Sequence, residues 1–333
     1  MRDLSRDLTS LQGARPRISV IIVTYKSREL IDRCLEKIID RTDFEILVWE
    51  NASGDGISEY VKMKYPRVTL INSEQNLGFA RANNEAFAYC HGQYYLLLNP
   101  DAFVSEARSI DHLATYLDEN PTVGMVGPQL VNNDGSHQVG DAGWKIGFLS
   151  VVTHSLMLQR IFPSLPSIYL TSSRLLRRRV VSLDWVCGAC TLVRPEVIDQ
   201  VGGMDDKVFM YGEDLEWGSR IRGAGWNVSY LPSTRVLHLQ GATQKATGSN
   251  FFSTKWLDDV AYRYALVGTR PRYNVMRAVI AAGFAIRAVV WGAVHITLPS
   301  KGEDGKSNMM WKYAQHAFNL PSFSEQRKKG LDK

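Results

Sequence analysis

Cysteine is scarce: Cys34, Cys90, Cys187 and Cys190 are the only four in 333 residues. That is too few for a disulfide scaffold of this size, so the fold must rest on its apolar core. Neither a Gly-x-Gly-x-x-Gly sequence nor a Gly-Lys-Ser/Thr loop occurs, which disfavours a Rossmann dehydrogenase or a P-loop NTPase. Residues 1–17 carry Arg2, Arg6, Arg15 and Arg17 but no apolar run of the secretory type, and a reducing cytosolic setting is the expectation. Internal repeats are absent. The excess of positive charge is small, 39 Lys and Arg against 34 Asp and Glu, a formal net charge of +5. It does not argue for nucleic acid, but it suits anionic small molecules or an anionic membrane. What is present is ordinary globular composition, 45% hydrophobic and 22% charged, which excludes a disordered, collagen-like or coiled-coil chain. A chain of this length buries about three quarters of its unfolded surface. It suggests two domains, or one large domain with an appendage.

The first third alternates apolar runs with amphipathic stretches. Strands are expected at Ile18–Val23, Phe44–Trp49, Val68–Ile71, Tyr94–Leu98 and Val123–Val126. Helices are expected at Ser27–Arg41, with Ser27 as N-cap, and at Ile57–Tyr65, Ala80–Cys90 and Ser105–Glu119. Such alternation predicts a parallel sheet covered on both faces. Residues 132–180 carry Gly, Ser and Pro punctuation and the cluster Arg174, Arg177, Arg178, Arg179, and read as an irregular insertion or mobile connection. A strand at Trp185–Val193, a helix from about Glu213 and a strand pair around Trp226–Leu239 follow. Beyond Phe251 the chain reads as helical, with an apolar stretch Val275–Leu298 and a Lys-rich tail.

Open parallel sheets bind ligands beyond the carboxyl ends of their strands. After the first strand comes Thr24-Tyr25-Lys26-Ser27, and after the second Glu50-Asn51-Ala52-Ser53-Gly54-Asp55-Gly56. The latter is either a polar turn leading to a helix cap or a place where Glu50 accepts from a base or ribose. After the third comes Asn76-Leu77-Gly78-Phe79-Ala80, with Arg81 placed to meet a phosphate at a helix start. After the fourth comes Asn99-Pro100-Asp101, either a Pro turn with a capping Asp or a hard oxygen ligand beside a diphosphate. Glu213 and Asp214 at a helix start are either dipole-favoured acids or a pair of which one is a general base. Glu216 and Arg220, four apart, read as a surface pair. His238 is either a core histidine or a ligand of Mn²⁺ or Mg²⁺ together with Asp101. The spacing of Cys187-x-x-Cys190 fits a redox pair or half a zinc site, but Cys34 and Cys90 are far away in sequence.

In their order and spacing these segments resemble glycosyltransferase family 2, the inverting GT-A fold, and most closely its rhamnosyltransferase-like branch. The resemblance runs from Ile18 to about Thr243. Besides the turns above it includes Asn83-Asn84, Cys187-Gly188-Ala189-Cys190, Gly202-Gly203-Met204-Asp205, Tyr211-Gly212-Glu213-Asp214 and His238-x-x-Gly241. It implies an α/β GT-A (nucleotide-diphospho-sugar transferase) fold, a mostly parallel sheet flanked by helices. It further implies a nucleotide pocket lined by Thr24, Tyr25, Glu50 and Asp55 with Arg81 nearby. Asp101 matches the metal-binding carboxylate of an Asp-x-Asp motif whose first position is here Asn99, and His238 matches a later ligand of Mg²⁺ or Mn²⁺. Asp214 matches the catalytic base, with Glu213 beside it, and Gly188 and Ala189 match the floor where donor sugar and acceptor meet. Three positions depart from the pattern: Asn99 for Asp removes one negative charge, Glu50 for Asp adds a methylene, and Glu216 replaces a common Asp. The resemblance also places Cys187 and Cys190 on a core strand.

The expected function is inverting transfer of a sugar, rhamnose from dTDP-rhamnose, to a hydroxyl of a cell-surface polysaccharide or lipid-diphosphate-linked glycan. The alternatives are a UDP-hexose or galactofuranose donor, or a non-catalytic nucleotide-sugar-binding module. A nucleotidyltransferase would want a Gly/Arg/Lys-rich loop after the first strand, and Thr24-Tyr25-Lys26-Ser27 is not that. The expected organisation is an N-terminal extension 1–16, a catalytic domain 17–248 and a helical region 249–333. Expected partners are the nucleotide sugar, the acceptor, a second copy of the chain and the inner face of the cytoplasmic membrane, with no nucleic acid. The Val275–Leu298 stretch is long enough to span a bilayer. Its ten Val, Ile, Leu and Phe residues contribute roughly −3 to −6 kcal/mol to insertion, and a central Arg287 costs about +2.5 to +3.5. The near-zero sum argues against spanning. Arg277, Arg287 and His295 fall within about 80° on a helix, so the stretch reads as either an interfacial helix with one polar stripe or a helix packed on the protein's own core.

Overall fold

Five Ile and Val residues fill the strand Ile18–Thr24 (β1), which is buried on both faces. Such a strand can only lie inside a sheet with helices on both sides. The computed structural model describes residues 15–206, 212–239, 254–297 and 305–331. Next in the chain come α1 (Ile31–Leu35), β2 (Phe44–Glu50), α2 (Ile57–Lys64), β3 (Thr69–Asn72), α3 (Gly78–Phe87), β4 (Tyr94–Leu98), β5 (Ala102–Val104) and α4 (Arg108–Glu119). The middle holds β6 (Val123–Val131), β7 (Ala142–Gly143), α5 (Phe148–Ser155), β8 (Val181–Leu183), β9 (Trp185–Val186), β10 (Cys190–Val193) and α6 (Pro195–Val201). The last part holds α7 (Glu213–Gly223), β11 (Asn227–His238), α8 (Lys255–Val267), α9 (Arg270–Thr297), α10 (Lys306–Phe318) and α11 (Phe323–Leu331).

The main sheet has the order β3-β2-β1-β4-β10-β6-β11-β5, with β8 on β11. β1 pairs in parallel with β2 from Ile18↔Phe44 to Thr24↔Glu50, and with β4 from Ile18↔Tyr94 to Ile21↔Leu97. The carboxyl ends of β1, β2 and β4 therefore share one rim. β10 runs antiparallel between β4 and β6, and β5 runs antiparallel to β11. One face packs Ile18, Val20 and Ile22 against Ile31, Leu35 and the α4 residues Ile110, Leu113 and Leu117. Each fully buried side chain of this size contributes about 1.5–3 kcal/mol.

Four expectations change. The stretch Trp185–Val193 is two strands in different sheets: Trp185–Val186 pairs with β7, a pairing that the Cys187 N–H bond to Asp141 O extends, and the chain then turns at residues 187–189 into β10 of the main sheet. The pair expected around Trp226–Leu239 is one strand, β11. Its register on β6 slips between Leu231 and Arg235, where Pro232 has no N–H to donate. Ser27 does not cap the first helix: its Oγ donates to Tyr25 O, and only Ile31–Leu35 is α-helical. β5, unread from the sequence, is three residues long, too short for any periodic signal.

Residues 132–180 contain β7, α5 and two 3₁₀ turns, Leu158–Arg160 and Leu175–Arg177. Val151 and Ile168 share an apolar core with Leu257, Tyr264, Met276, Ile280 and Phe284 of the C-terminal helices. Leu215 of α7 packs against the same core. Of the polar stripe read on α9, Arg277 and Arg287 reach neighbouring segments of the protein and His295 is exposed. Arg287 donates to the carbonyls of His154 and Ser155 at the end of α5, and Arg277 donates to Phe318 O. Tyr211, Gly241 and Thr243, cited for the resemblance, lie outside the described residues.

Candidate active site

Three loops form the rim. In the turn after β2, Ala52, Gly54 and Gly56 all have positive φ. The Glu50 carboxylate, buried beneath that turn, accepts from Ala52 N–H at 3.2 Å and Ser53 N–H at 2.6 Å. Ser53 Oγ accepts from Lys26 N–H at 3.0 Å, and Asp55 accepts from Arg28 N–H at 3.1 Å, which latches the loop after β1 to this turn. Asn51 reaches the other way. Its amide donates to Asn76 Oδ1 and Gly78 O, and its Oδ1 accepts from Leu77 N–H. The loop before α3 is therefore tied to the same turn. Thr24, at the end of β1, spends its hydroxyl on Trp49 O at 3.2 Å, and Tyr25 is half-buried beside it. Glu50 and Asp55 thus hold the shape of the rim through backbone amides. Arg81 lies in the second turn of α3, half exposed and 3.8 Å from Glu85, so it is not among the first amides of that helix.

The reversal at Cys187–Cys190 joins the rim to the second half of the chain. Ala189 O accepts from Asn99 N–H at 2.9 Å, holding the end of β4. The adjacent Gly188 N–H donates to Asp214 Oδ1 at 3.0 Å, holding the start of α7. A Cβ on Gly188 would stand 2.9 Å from both Asp214 Oδ1 and the Phe79 ring, so a side chain there would displace one of them. Phe79 belongs to the Asn76-Leu77-Gly78-Phe79 segment, so that motif also converges here. Burial pushes the Asp214 carboxyl up to about 6, against the Gly188 amide and the Cys187 thiol, which hydrogen-bond to it. Burial, and then the neighbouring Asp214 charge, hold the Cys187 thiol well above its ordinary range. The thiol is therefore a neutral donor to Asp214, not a nucleophile. Asp214 as a residue is half-buried. Glu213 beside it is buried.

Asp101 and His238 meet because β5 lies on β11. His238 pairs with Ala102, and Leu239 N–H donates to Asp101 O at 2.9 Å. His238 Nε2 stands 3.3 Å from Asp101 Oδ1, with the two side chains 10% and 8% exposed. Gln138 fixes the imidazole. Its Nε2 donates to Asn132 Oδ1 and His238 O, both at 3.1 Å, so its Oε1 is the atom facing His238 Nδ1 at 2.6 Å. Nδ1 therefore carries a proton toward Gln138, and Nε2 is the nitrogen that faces the carboxylate. A carboxylate oxygen and an imidazole nitrogen converging in a nearly dry place are donor types that a divalent cation takes. Among the described residues no third His, Cys, Asp or Glu joins them.

Sequence reading missed Gln138 and, behind it, Asp141. Asp141 is buried and accepts from His137 Nε2 at 2.9 Å and from the Tyr230 hydroxyl at 2.5 Å. Both lie in the stretch read as irregular, and a lone Gln carries no motif signal. The Glu216–Arg220 pair is more than a surface contact. It is bidentate, at 2.6 and 2.8 Å, and Arg220 also donates to Gly203 O. Asn84 grips Met204 at both its N–H and its carbonyl. The four cysteines are free, and Cys190 is buried on β10.

The family model for glycosyl transferase family 2 matches residues 19–183. A Mycobacterium tuberculosis protein named N-acetylglucosaminyl-diphospho-decaprenol L-rhamnosyltransferase is 30% identical over 234 residues, covering 66% of this chain and 75% of that one. Rhamnosyltransferase WbbL of Escherichia coli is 25% identical over 257 residues, covering 74% and 92%. In structure the chain is similar to a mannosyltransferase of Pyrobaculum calidifontis solved with GDP-Man and Mn²⁺. The TM-score is 0.54 at 18% identity, over 92% of this chain and 88% of that one. The parallel half-sheet with its rim loops, the antiparallel β10 and the crossed β5–β11 pair make up the GT-A fold, and the chain belongs to glycosyl transferase family 2.

Proposed function

We propose that this chain is an inverting glycosyltransferase that moves L-rhamnose from dTDP-rhamnose to a hydroxyl of a lipid-diphosphate-linked glycan, at the inner face of the cytoplasmic membrane. The names of the two relatives support the sugar. The observation that carries the chemistry is the Cys187–Cys190 reversal. Its adjacent residues hold Asp214 on one side and the Asn99–Asp101 turn on the other.

In this reading the rim formed by Thr24, Tyr25, Glu50 and Asp55 receives the nucleoside, and Arg81 supplies an exposed cation on the neighbouring helix. Asp101 and His238 would hold Mg²⁺ or Mn²⁺, which when bound neutralises charge on the departing nucleoside diphosphate. Asp214 takes the proton of the acceptor hydroxyl as that oxygen attacks the anomeric carbon, and a single displacement inverts the configuration. Its raised pKa makes it a stronger base than an ordinary carboxylate while it is still ionised at neutral pH. The Gly188 amide holds Oδ1, and in this reading Oδ2 is the oxygen that faces the acceptor. Gly188 and Ala189 form the floor between donor sugar and acceptor. The domain division is 17–248 for transfer and 249–333 for the acceptor side, with residues 132–180 between them.

A thermal-shift panel of nucleotide sugars with Mg²⁺ or Mn²⁺ tests the assignment. dTDP-rhamnose is expected to give the largest stabilisation and to be turned over. A shift with UDP-hexoses alone would reassign the donor, and no shift with any donor would overturn the catalytic reading in favour of another role.

A further inference from the structure

The solvent face of α9 is the reverse of what a soluble helix shows. One stripe of exposed positions, Val275, Ala278, Ala282, Ile286, Val289, Ala293 and Ile296, recurs every three or four residues and is apolar throughout, with Asn274, His295 and Thr297 the exposed polar residues beside it. The stripe runs about 32 Å along the helix. The opposite stripe, Tyr273, Met276, Ile280, Phe284 and Ala288, is buried in the C-terminal core. The helix is thus apolar on both sides, and its two central arginines are spent inward on carbonyls.

A second segment joins it. Ser155 lies against Gly283, where a Cβ would come within 2.4 Å of Ser155 O, and Arg287 holds the same carbonyl. The end of α5 is therefore pinned beside Ile286. From there emerge Leu156, then Ile161 and Phe162, which are 70% and 58% exposed. Of fifteen exposed large hydrophobic residues described in the chain, ten lie in α9 or in residues 142–183. Those two segments hold ten Lys and Arg and no Asp or Glu. Eight of the ten, Lys145, Arg160, Arg270, Arg272 and the cluster from Arg174 to Arg179 among them, are exposed. Towards its end the stripe opens on a cleft of about 810 Å³ shared with α10, where Val289, Ala293 and Ile296 face Trp311.

We propose that this composite surface, the outer stripe of α9 with the Leu156–Phe162 segment, is where the protein lies on an anionic lipid bilayer. An apolar ridge with exposed Arg160 beside Ile161 and exposed Arg270 and Arg272 at the start of α9 matches acyl chains beneath anionic headgroups, and α9 lies along the interface because its inner side is already used by the protein core. The charge complementarity selects the bilayer over a second copy of this chain, whose matching face would bring the same positive charge. The proposal extends the reading of a lipid-linked acceptor. Leu215, next to Asp214, packs on the core that carries α9, so the membrane layer and the proposed base share one scaffold.

Flotation of the full chain with phosphatidylglycerol-containing vesicles, without donor or acceptor, tests it and cannot fail through a wrong sugar assignment. The wild type is expected to float with these vesicles and far less with phosphatidylcholine alone, with binding weakened by salt. The double variant Ile286→Glu/Val289→Glu is expected to lose binding tenfold or more at unchanged melting temperature. Phe162→Glu, on the other segment, is expected to weaken binding by a smaller factor. A wild type that stays unbound at low salt overturns the proposal, as does a double variant that floats equally well. So does a wild-type dimer in lipid-free buffer that the double variant dissociates, since this face would then join two copies.

Discussion

The rim of the sheet and the outer face of α9 use polar groups in opposite ways. At the rim almost every side-chain oxygen is engaged, and Glu50, Asn51, Ser53, Asp55 and Asn76 bind backbone amides or each other across three loops. On α9 Arg277 and Arg287 are drawn to carbonyls of neighbouring segments while a stripe of apolar residues faces out. The first arrangement holds a shape still so that a few groups such as Asp214 can be aimed, at the cost of little freedom. The second leaves a surface that satisfies itself only against something other than water. Rigid polar latching marks the end proposed for the chemistry, and the outward apolar stripe marks the end proposed to dock.

The comparison can be broken at either end. Asp214→Asn removes the proposed base without changing its size. Turnover should fall by roughly 10²–10⁴-fold, while donor binding measured by calorimetry survives. Retained turnover would remove Asp214 from the mechanism. Gln138→Leu should free the His238 ring and raise the Mn²⁺ concentration needed for half-maximal activity by about 10–100-fold. An unchanged metal dependence would make Gln138 a purely structural residue.

The pH profile is a subtler probe. Burial raises the Asp214 carboxyl to about 6, and a base acts only when ionised. kcat/KM should therefore be flat above that value and fall about tenfold per unit below it. A break near the ordinary carboxylate value of about 4 would mean that the group sensed is another. The smallest effect tests the C-terminal layer. Phe284→Ala, on the inner stripe, should cost about 3–5 kcal/mol in chemical denaturation. Ile286→Ala, two residues on but outward, should stay within about 0.5 kcal/mol. Equal costs would show that the outer stripe is covered.

Much of the rim was readable because its turns carry dense signals. Asn51, Asp55 and Asn76 stand at strand ends where a helix must start, and the apolar runs before them can only be buried strands. The Cys187–Cys190 reversal was read as the middle of one strand, since small residues suit a strand and a turn equally until the partner is known. That partner is Asp214, twenty-six residues on. β5 and Gln138 were missed for a related reason: three apolar residues and one amide have no periodicity, and their meaning comes from β11, which follows about a hundred residues later.

The sequence by itself determined the alternation of strands and helices, the family and the identity of the residues that carry charge into the site. Those are local properties of hydrophobic period, turn chemistry and residue type. Which groups meet was decided only by the tertiary structure. His238 reaches Asp101 through a three-residue strand, and Asp214 is aimed by one amide of a broken strand. Arg287 of α9 turns to the carbonyls of α5 and Arg277 to Phe318 O of α10, because a guanidinium drawn out of water must find acceptors, and this packing leaves the apolar stripe facing out.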